Sequence, residues 1–412
     1  EASEGSEEYS GGPAGPEVND YTQELIDKWS SAPFDFNSFE SQYLNKSKKD
    51  KFANSDKPLD TPLLQECKKG DAKIALRNYK IILKESGINV TKGLKGETVY
   101  DFFSSLDESD TLVDEAYVDL WKQTTNCKKD TLTLLLNLFL VLATSYLPSE
   151  HLYIPLLKHL AGLAASDKYA KFVLIRLNDT IARENPLQKI RSEDDIQDIL
   201  DQYKKGCCCF IVSHYECFFN QKVKRPAAPI PYIEYQLLEN IRQQGGRDKP
   251  QIFRSSGNKK QLDNLILEAN KGVNVVEGQN IDDVSGLFKR WIELIPGRLI
   301  NISYQSQFQE ATKDITDPDP AIEFANSLPK SIQAVLKYLV GYLRDFAQNS
   351  SVNGMSLEDF ANAFGSLITY EDEDADIIKF QQAQKYFMKT ILEHWDIGDA
   401  YPIAESMMKS KK

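Results

Sequence analysis

Histidine is scarce in this sequence and cysteine is poorly spaced, which argues against two common kinds of site. The 412 residues include four histidines and six cysteines, and Cys207, Cys208 and Cys209 are consecutive. Adjacent strand residues point to opposite faces and structural zinc needs separated cysteine pairs, so a zinc site that adds His214 and Cys217 is disfavoured. We interpret these thiols as buried or half-buried groups in a reducing, cytosolic setting. Histidine general-base chemistry has little support, and we expect neither a metal nor a cofactor.

The sequence also lacks the common motifs for nucleotide binding and hydrolysis. It contains no G-x-x-x-x-G-K-[ST], H-E-x-x-H or G-x-S-x-G. A P-loop, a zinc protease and a hydrolase with a nucleophile elbow are therefore not expected. Any nucleotide would belong to a partner.

Positive charge and long apolar runs are in short supply as well. The formal net charge of −12 disfavours nucleic acid or an anionic membrane as a general partner. The longest apolar stretch, residues 132–147, is broken by Asn137. It falls short of the ~20 residues that cross a bilayer, so we predict a buried helix. The N-terminal segment is neither basic nor apolar, which predicts no signal peptide. We expect a cytoplasmic protein.

The composition that is present is typical of a globular protein with two domains. Hydrophobic residues make up 41% and aromatic residues 10% of the chain. Residues 1–20, acidic and rich in Gly, Ser and Pro, predict a disordered tail, and residues 401–412 a short C-terminal tail. Apolar side chains recur at three- and four-residue steps in residues 21–190 and 226–400. Residues 191–225 begin with a charged helix-like piece, SEDDIQDILDQYKKG, and continue with a β-branched, cysteine-rich run and a Pro-rich run, which predicts a β-prone connector. The expected fold is all-α, with two helical-bundle domains.

A loop is predicted at residues 250–257, between two helical stripes. Its sequence, PQIFRSSG, places the bulky Ile252 and Phe253 directly before Arg254. We expect the two apolar side chains to anchor the loop while Arg254 points outward. A planar guanidinium presented in this way suits the negative charge that phosphoryl transfer to water spreads over phosphate oxygens. Taken alone, a loop arginine is more commonly a solvated or salt-bridged surface residue.

Four blocks of the chain closely resemble, in order and spacing, the successive signatures of the Rho GTPase-activating (RhoGAP) family. They are PIPYIEYQLLENIRQQGG, PQIFRSSGNKKQLDNL, DDVSGLFKRWIELIPGRLI and NGMSLEDFANAFGSLI, within roughly residues 226–395. The resemblance implies that Arg254 is an arginine finger, with Phe253 and Gly257 supporting its loop. It also implies that Lys289 contacts a Rho-family small GTPase in its GTP form. By helical phase Lys289 should face solvent or a partner, and the alternative is a surface lysine that serves solubility.

The chain departs from the RhoGAP pattern at three places near the expected GTPase contact. Glu293 stands where the family commonly has an arginine, and the i,i+4 spacing allows a Lys289–Glu293 pair in the weaker of the two orientations. Asp359 stands where the family commonly has an asparagine, and from Ser356 onward the sequence also resembles a helix N-cap with an acidic first turn. Arg298 ends Ile-Pro-Gly-Arg, where the family has Leu-Pro-Glu-Pro. We expect Glu293, Asp359 and Arg298 to bear on GTPase binding and partner choice.

The N-terminal half resembles the MyTH4 domain of some myosin tails and of a small group of RhoGAP proteins. The match lies in DKPLDTPLLQ, LVDEAYVDLWKQTTN and SYLPSEHLYIPLLKHL, and rests on Asp114, Glu115, Gln123, Pro148 and Ser149. It implies docking to cytoskeletal partners, microtubules in several relatives, and a location at the cytoskeleton or cortex. Four nearby lysines are either a local basic patch or a solvated face: Lys46, Lys48, Lys49 and Lys51.

Together these resemblances predict an activator of GTP hydrolysis by a partner GTPase, with no substrate of its own. The alternative is a catalytically weak or inactive RhoGAP-like domain that serves as a GTPase-binding or cytoskeletal scaffold. The intact Arg254 block favours the activator, whereas weakened engagement through Glu293 and Asp359 would favour the scaffold.

Overall fold

The computed structural model describes residues 20–45, 52–68, 70–90, 93–255, 257–372 and 374–409. Within these ranges the regular elements are helices, and the extended pairings are two isolated bridges, Leu44 with Leu64 and Ile300 with Thr369. The predicted all-α fold class is confirmed. Two predicted features, the acidic tail up to residue 19 and the lysine cluster of residues 46–51, lie outside the described residues.

Eight of the described helices form the N-terminal bundle. They are α1 (Thr22–Ser30), α2 (Phe36–Tyr43), α3 (Gly70–Glu85), α4 (Val99–Leu106), α5 (Asp110–Thr124), α6 (Lys129–Ser145), α7 (Tyr153–Ala164) and α8 (Lys168–Arg183). Side chains of Thr98, Ser109 and Asp167 accept hydrogen bonds from first-turn amides and fix where α4, α5 and α8 begin. The apolar stretch predicted as a buried helix is α6, in which residues 138–145 are all buried. Among the helices described, none is both long enough and apolar enough to span a membrane.

The predicted connector folds into two helices. Residues 191–225 contain α9 (Glu193–Lys205) and α10 (His214–Gln221). Ser213 caps α10 by accepting a hydrogen bond from the amide of Glu216, and an S-x-x-E sequence is a common helix start. The β-prone prediction is wrong because the adjacent β-branched residues Ile211 and Val212 lie in the turn before this cap, where Ile211 has a left-handed φ of 63°.

The remaining described helices form the C-terminal bundle around α16. They are α11 (Tyr232–Gln243), α12 (Lys259–Asn270), α13 (Ile281–Glu293), α14 (Gln305–Ala311), α15 (Asp319–Ser327), α16 (Lys330–Ala347), α17 (Ser350–Asn353), α18 (Leu357–Ile368), α19 (Ile377–His394) and α20 (Ala400–Lys409). The prediction of a C-terminal tail over residues 401–412 is wrong for residues 401–409. These residues belong to α20, which buries Ala404 and Met408. Its Glu405 also pairs with Arg242 of α11 at 3.0 Å.

Buried polar contacts place α10 between the two bundles. Arg176 of α8 donates two hydrogen bonds to the Glu216 carboxylate, each 2.6 Å long, and both side chains are at most 2% exposed. On the other side, His214 lies 3.1 Å from the hydroxyl of Ser331 in α16. The Ser331 amide in turn donates to the carboxylate of Glu24 in α1, at 3.3 Å. Helices from both bundles therefore contact the connector directly.

Asp179 of α8 predicts a pH dependence of stability. It accepts a hydrogen bond from the Ser213 amide at 2.7 Å, and its other carboxylate oxygen has no partner in the described part of the chain. Burial, reinforced by Glu216 and opposed by Arg183, raises its pKa from 3.8 to about 7. A carboxyl whose folded pKa is raised stabilises the protein below its unfolded pKa and loses that contribution as pH rises to the folded pKa.

The free energy of unfolding should therefore decline between pH 4 and pH 7, and Asp179→Asn should flatten part of that slope. Chemical denaturation at a series of pH values measures this. Some slope should remain, because burial also raises the pKa of Glu115 to about 7. An unchanged slope in the variant would rule out Asp179 as a source.

Candidate functional site

The Arg254 loop, residues 250–257, joins α11 to α12 through a constrained backbone. Gln251 and Phe253 have left-handed φ values of 56° and 68°, which non-glycine residues adopt at a cost. The Gln251 amide donates to the Asn353 carbonyl at 2.8 Å, and the Arg254 amide donates to the Gln251 carbonyl at 3.0 Å. These bonds hold the backbone on both sides of Phe253.

Phe253 anchors the loop in the C-terminal core. Its side chain is 1% exposed, as is that of Ile252, so both lie where the sequence predicts. The Phe253 ring centroid lies 6.2 Å from that of Phe288, 6.3 Å from Phe360 and 5.2 Å from Phe364. Aromatic pairs of this kind add about 0.5–1.5 kcal/mol each beyond area burial. The rings of Phe288, Phe360 and Phe364 form an aromatic socket, which fixes the residue that directly precedes Arg254.

Arg254 extends from this anchor to the surface. Half of its side chain is exposed, and its Nη2 donates to Oδ1 of Asp359 at 2.7 Å. Asp359 lies in the first turn of α18, where it forms a capping box with Ser356. Hydrogen bonds from Ser356, with a further contribution from Arg254, hold the pKa of Asp359 below its usual value. The guanidinium is thus ion-paired yet accessible from solvent.

Lys289 supports the loop from α13. Its Nζ donates to the carbonyl oxygen of Phe253 at 2.8 Å. The side chain is half-buried, and desolvation lowers the pKa of its ammonium group. The sequence predicts that Lys289 faces solvent or a partner. In the structure its charged end turns back to the loop and holds the peptide that precedes Arg254.

Gly257 closes the loop in a conformation that favours glycine. Its φ is +66°, and a Cβ added here would lie 2.5 Å from Oδ1 of Asp283 in α13. That carboxylate is itself held by hydrogen bonds from Asn280 and from Gln261, the latter 3.1 Å long. Both the backbone conformation and the lack of space therefore require glycine at this position.

Gly257→Ala should consequently destabilise the protein more than a left-handed φ alone does. A left-handed φ costs a residue with a Cβ about 1–2 kcal/mol of stability, and the clash with Asp283 adds to this cost. Gly245→Ala is the matched control, because Gly245 has a φ of +79° and open space around its Cβ position. Chemical denaturation of the two variants separates strain from clash. Equal losses would show that Asp283 does not restrict the loop.

Glu293 and Arg298, both expected at the GTPase contact, form other pairs in the structure. Glu293 accepts from Nη1 of Arg290 at 2.9 Å. Its negative charge also acts on Lys289 one turn earlier, where it opposes the lowering of the Lys289 pKa by desolvation. Arg298 has a φ of +67° and donates to the Glu293 carbonyl and the Glu371 carboxylate. Its side chain is only 15% exposed.

A groove of about 380 Å³ lies beside the loop, between α12, α13 and α18. Its walls combine cationic and apolar side chains, among them Lys259, Leu262, Lys289, Arg290, Ala363 and Leu367. Gly257 and Glu293 also line it. The groove therefore brings Lys289 and Glu293 to one surface, next to the Arg254 loop.

The polar residues singled out in the N-terminal half are structural. Asp114 accepts from the Ser149 amide at 2.8 Å. Both oxygens of Glu115 accept from the amides of residues 63 and 64, and Gln123 is fully buried. These groups tie the segments before and after α5 to that helix. They offer a partner little surface.

The six cysteines are free thiols. Cys208 and Cys217 are buried, and Cys207 and Cys209 are half-buried, as the sequence predicts. Burial raises the pKa of Cys208 to about 12, which keeps this thiol protonated at neutral pH.

Family comparisons agree with this division of the chain. A family model of the RhoGAP domain matches residues 231–373, and a model of the MyTH4 domain matches residues 100–197. The chain contains a MyTH4 domain and a RhoGAP domain. The recognition of both domains from sequence is therefore confirmed. The wider limits, 21–190 and 226–400, stay predictions, and the Arg254 loop, Lys289 and Asp359 all fall within the RhoGAP match.

Curated proteins named as GTPase-activating proteins are similar to part of the chain. "GTPase activating protein homolog 4" of Dictyostelium discoideum is 28% identical over 206 residues, which are 48% of this chain and 22% of that protein. "Rho GTPase-activating protein 35" of Mus musculus is 28% identical over 149 residues, 34% of this chain and 10% of that protein. The crystal structure of human Rho GTPase activating protein 15 aligns with 48% of this chain and 95% of its own, at 24% identity and a TM-score of 0.42. The chain spans about a fifth or less of the length of these two curated relatives.

Several features of the RhoGAP site could not be predicted from the sequence. The aromatic socket is one, although Phe360 and Phe364 stand at i,i+4 and Phe288 follows Val284 and precedes Trp291 at helical spacing. Asn353, whose carbonyl holds the loop, carries no sequence signal, because a backbone carbonyl is present in every residue. The ion pair of Arg254 with Asp359 joins residues 105 positions apart and is likewise hidden.

Proposed function

We propose that this chain stimulates GTP hydrolysis by a Rho-family small GTPase that binds its RhoGAP domain in the GTP form. Arg254 would enter the partner's nucleotide site as an arginine finger. Negative charge in the transition state spreads over the γ-phosphate oxygens, and a planar guanidinium can meet two of them at once. The chain would supply this positive charge, and the nucleotide would belong to the partner.

The observation that carries the proposal is a half-exposed arginine on a backbone held from three sides. Phe253 is socketed among aromatic rings, its carbonyl accepts from Lys289, and the Gln251 amide is bonded to Asn353. A charge positioned before the reaction needs little reorganisation when negative charge develops. The fixed backbone therefore supports a catalytic rather than a purely solvating role for Arg254.

The groove beside the loop supports the choice of partner. Lys259 and Arg290 give it positive charge, and Leu262 and Leu367 give it an apolar wall. A partner surface with acidic residues next to apolar ones would complement it. Binding there would bring the partner's nucleotide within reach of a side chain on the adjoining loop.

A panel of Rho-family GTPases tests the proposal. Each is loaded with GTP and mixed with the whole chain, and single-turnover hydrolysis is followed alongside binding of the GTP form. At least one member should hydrolyse GTP about 10³–10⁵ times faster with the chain present. Binding without acceleration throughout the panel would instead support a scaffold, a candidate favoured by the ion pairs that engage Arg254 and Arg298.

For the MyTH4 domain we propose a role in location, through docking to a cytoskeletal partner. Asp114, Glu115 and Gln123 are buried, so the docking surface would lie elsewhere. The lysine-rich segment of residues 46–51 is a candidate for contact with an acidic filament such as a microtubule. Co-sedimentation of the whole chain with microtubules, with and without its four lysines changed to glutamate, tests this role. Equal sedimentation of both forms would exclude that segment.

A further inference from the structure

The two carboxylate oxygens of Asp359 accept hydrogen bonds from different residues. Oδ2 accepts from the amide of Ser356 at 3.0 Å and from its hydroxyl at 2.6 Å, which fixes the carboxylate at the start of α18. Oδ1 points away from this cap and accepts from Nη2 of Arg254 at 2.7 Å. The helix start thereby holds a negative charge directly against the side chain that the proposed mechanism uses.

We propose that Asp359 is a positioning residue that restrains the finger, so that Arg254 must leave this carboxylate to stabilise the transition state. The proposal rests on the function proposed above. Asp359 and the phosphate oxygens are both anionic acceptors for one guanidinium. If the pair persisted in the complex, the carboxylate would lie next to the partner's phosphates and oppose the charge that develops there.

The exposure of the two side chains indicates how strongly Asp359 restrains Arg254. The Arg254 side chain is 50% exposed and that of Asp359 27%, so water competes for both. Measured couplings of exposed ion pairs correspond to about a 1.4- to 5-fold change in an equilibrium. Asp359 therefore reduces the availability of the finger severalfold without abolishing it.

Asp359→Asn tests the proposal. Asparagine keeps an acceptor for the Ser356 amide and removes the charge. The single-turnover rate at saturating chain should rise by about 1.4- to 5-fold, and the gain should shrink as added salt screens the pair. In an Arg254→Ala background the same change should have no effect on the rate, because the restrained group is missing.

Two controls isolate the effect. Asp101→Asn makes the same change in the capping box that Asp101 forms with Thr98 at the start of α4, far from the finger in sequence and without a role in the site. Glu358→Gln removes one charge beside Asp359, where Glu358 pairs with Lys385 at 2.8 Å. Neither variant should reproduce the gain, and thermal unfolding of each reports any loss from the cap.

The outcomes separate this proposal from the proposed function. If the unmodified chain accelerates no GTPase, the function proposed above fails. If it does accelerate one, an unchanged or slower rate with Asp359→Asn overturns the restraint alone. The same gain with Glu358→Gln would overturn it too, because any nearby negative charge would then have the effect. The same gain in the Arg254→Ala background would also overturn it, because the charge of Asp359 would then act without the finger.

Discussion

Replacing Arg254 by alanine should reduce the stimulated rate of GTP hydrolysis by about 10³–10⁵-fold. The variant should fold normally, since the loop is held by the Phe253 socket, the Lys289 bond and backbone hydrogen bonds that alanine retains. A surface substitution of this kind changes stability by about 0.5 kcal/mol or less. Binding of the GTP form should persist, because the groove beside the loop is untouched. Single-turnover hydrolysis and equilibrium binding, measured on the same preparation, separate the two effects.

Arg254→Lys is the matched variant for this experiment. Lysine keeps the positive charge but lacks the planar fork that meets two oxygens at once. It should recover only part of the lost rate. If Arg254→Ala stimulates hydrolysis as well as the unmodified chain, the finger assignment is wrong.

Removing Glu216 should cause the largest loss of stability that we expect from a single polar substitution. Its carboxylate accepts both hydrogen bonds from Arg176, and neither side chain is more than 2% exposed. Glu216→Ala would leave a buried guanidinium without its counter-ion, which typically costs about 3–5 kcal/mol. Chemical denaturation of the whole chain measures the change.

A double replacement checks the cause of that loss. Arg176→Met with Glu216→Leu removes both charges and keeps the volume, so it should be more stable than Glu216→Ala alone. Lys313→Ala is the exposed control, because Lys313 and Glu310 form a pair whose side chains are 75% and 77% exposed. It should leave the unfolding midpoint unchanged. A double variant as unstable as the single one would show that the loss of stability comes from altered packing at α10 and not from an unpaired charge.

The fold class could be predicted because helical periodicity is a local signal. The stripe of Ile233, Leu237 and Ile241, for example, is buried along α11 as its spacing predicts. The connector is harder to predict, since residues 207–212 end in the β-branched pair Ile211 and Val212, and the cap formed by Ser213 and Glu216 becomes apparent only in the structure. What holds α10 in place is a partner on α8, and a pairing of residues 40 positions apart is not visible in sequence.

The candidate site shows the same limit. The order Ile252, Phe253, Arg254 predicts an anchored loop with an outward arginine, because two bulky apolar side chains directly precede a charged one. Helical phase gave the direction of the Lys289 Cβ, but a long flexible side chain can turn its charged end back to a carbonyl. From Ser356 onward the sequence predicts a helix N-cap with an acidic first turn, and the structure has Ser356 as the cap and Asp359 in that turn. The bond of Asp359 to Arg254 depends instead on the packing of α18 against the loop.

The most direct test of the finger is complex formation with a GTPase in a state that mimics phosphoryl transfer. A Rho-family partner found in the panel is loaded with GDP and aluminium fluoride, or with a non-hydrolysable GTP analogue, and binding of the whole chain is measured for each. The unmodified chain should bind both states, and Arg254→Ala should bind the GTP analogue but lose the aluminium fluoride state. Equal binding of the aluminium fluoride state by both chains would contradict a role for Arg254 in the transition state.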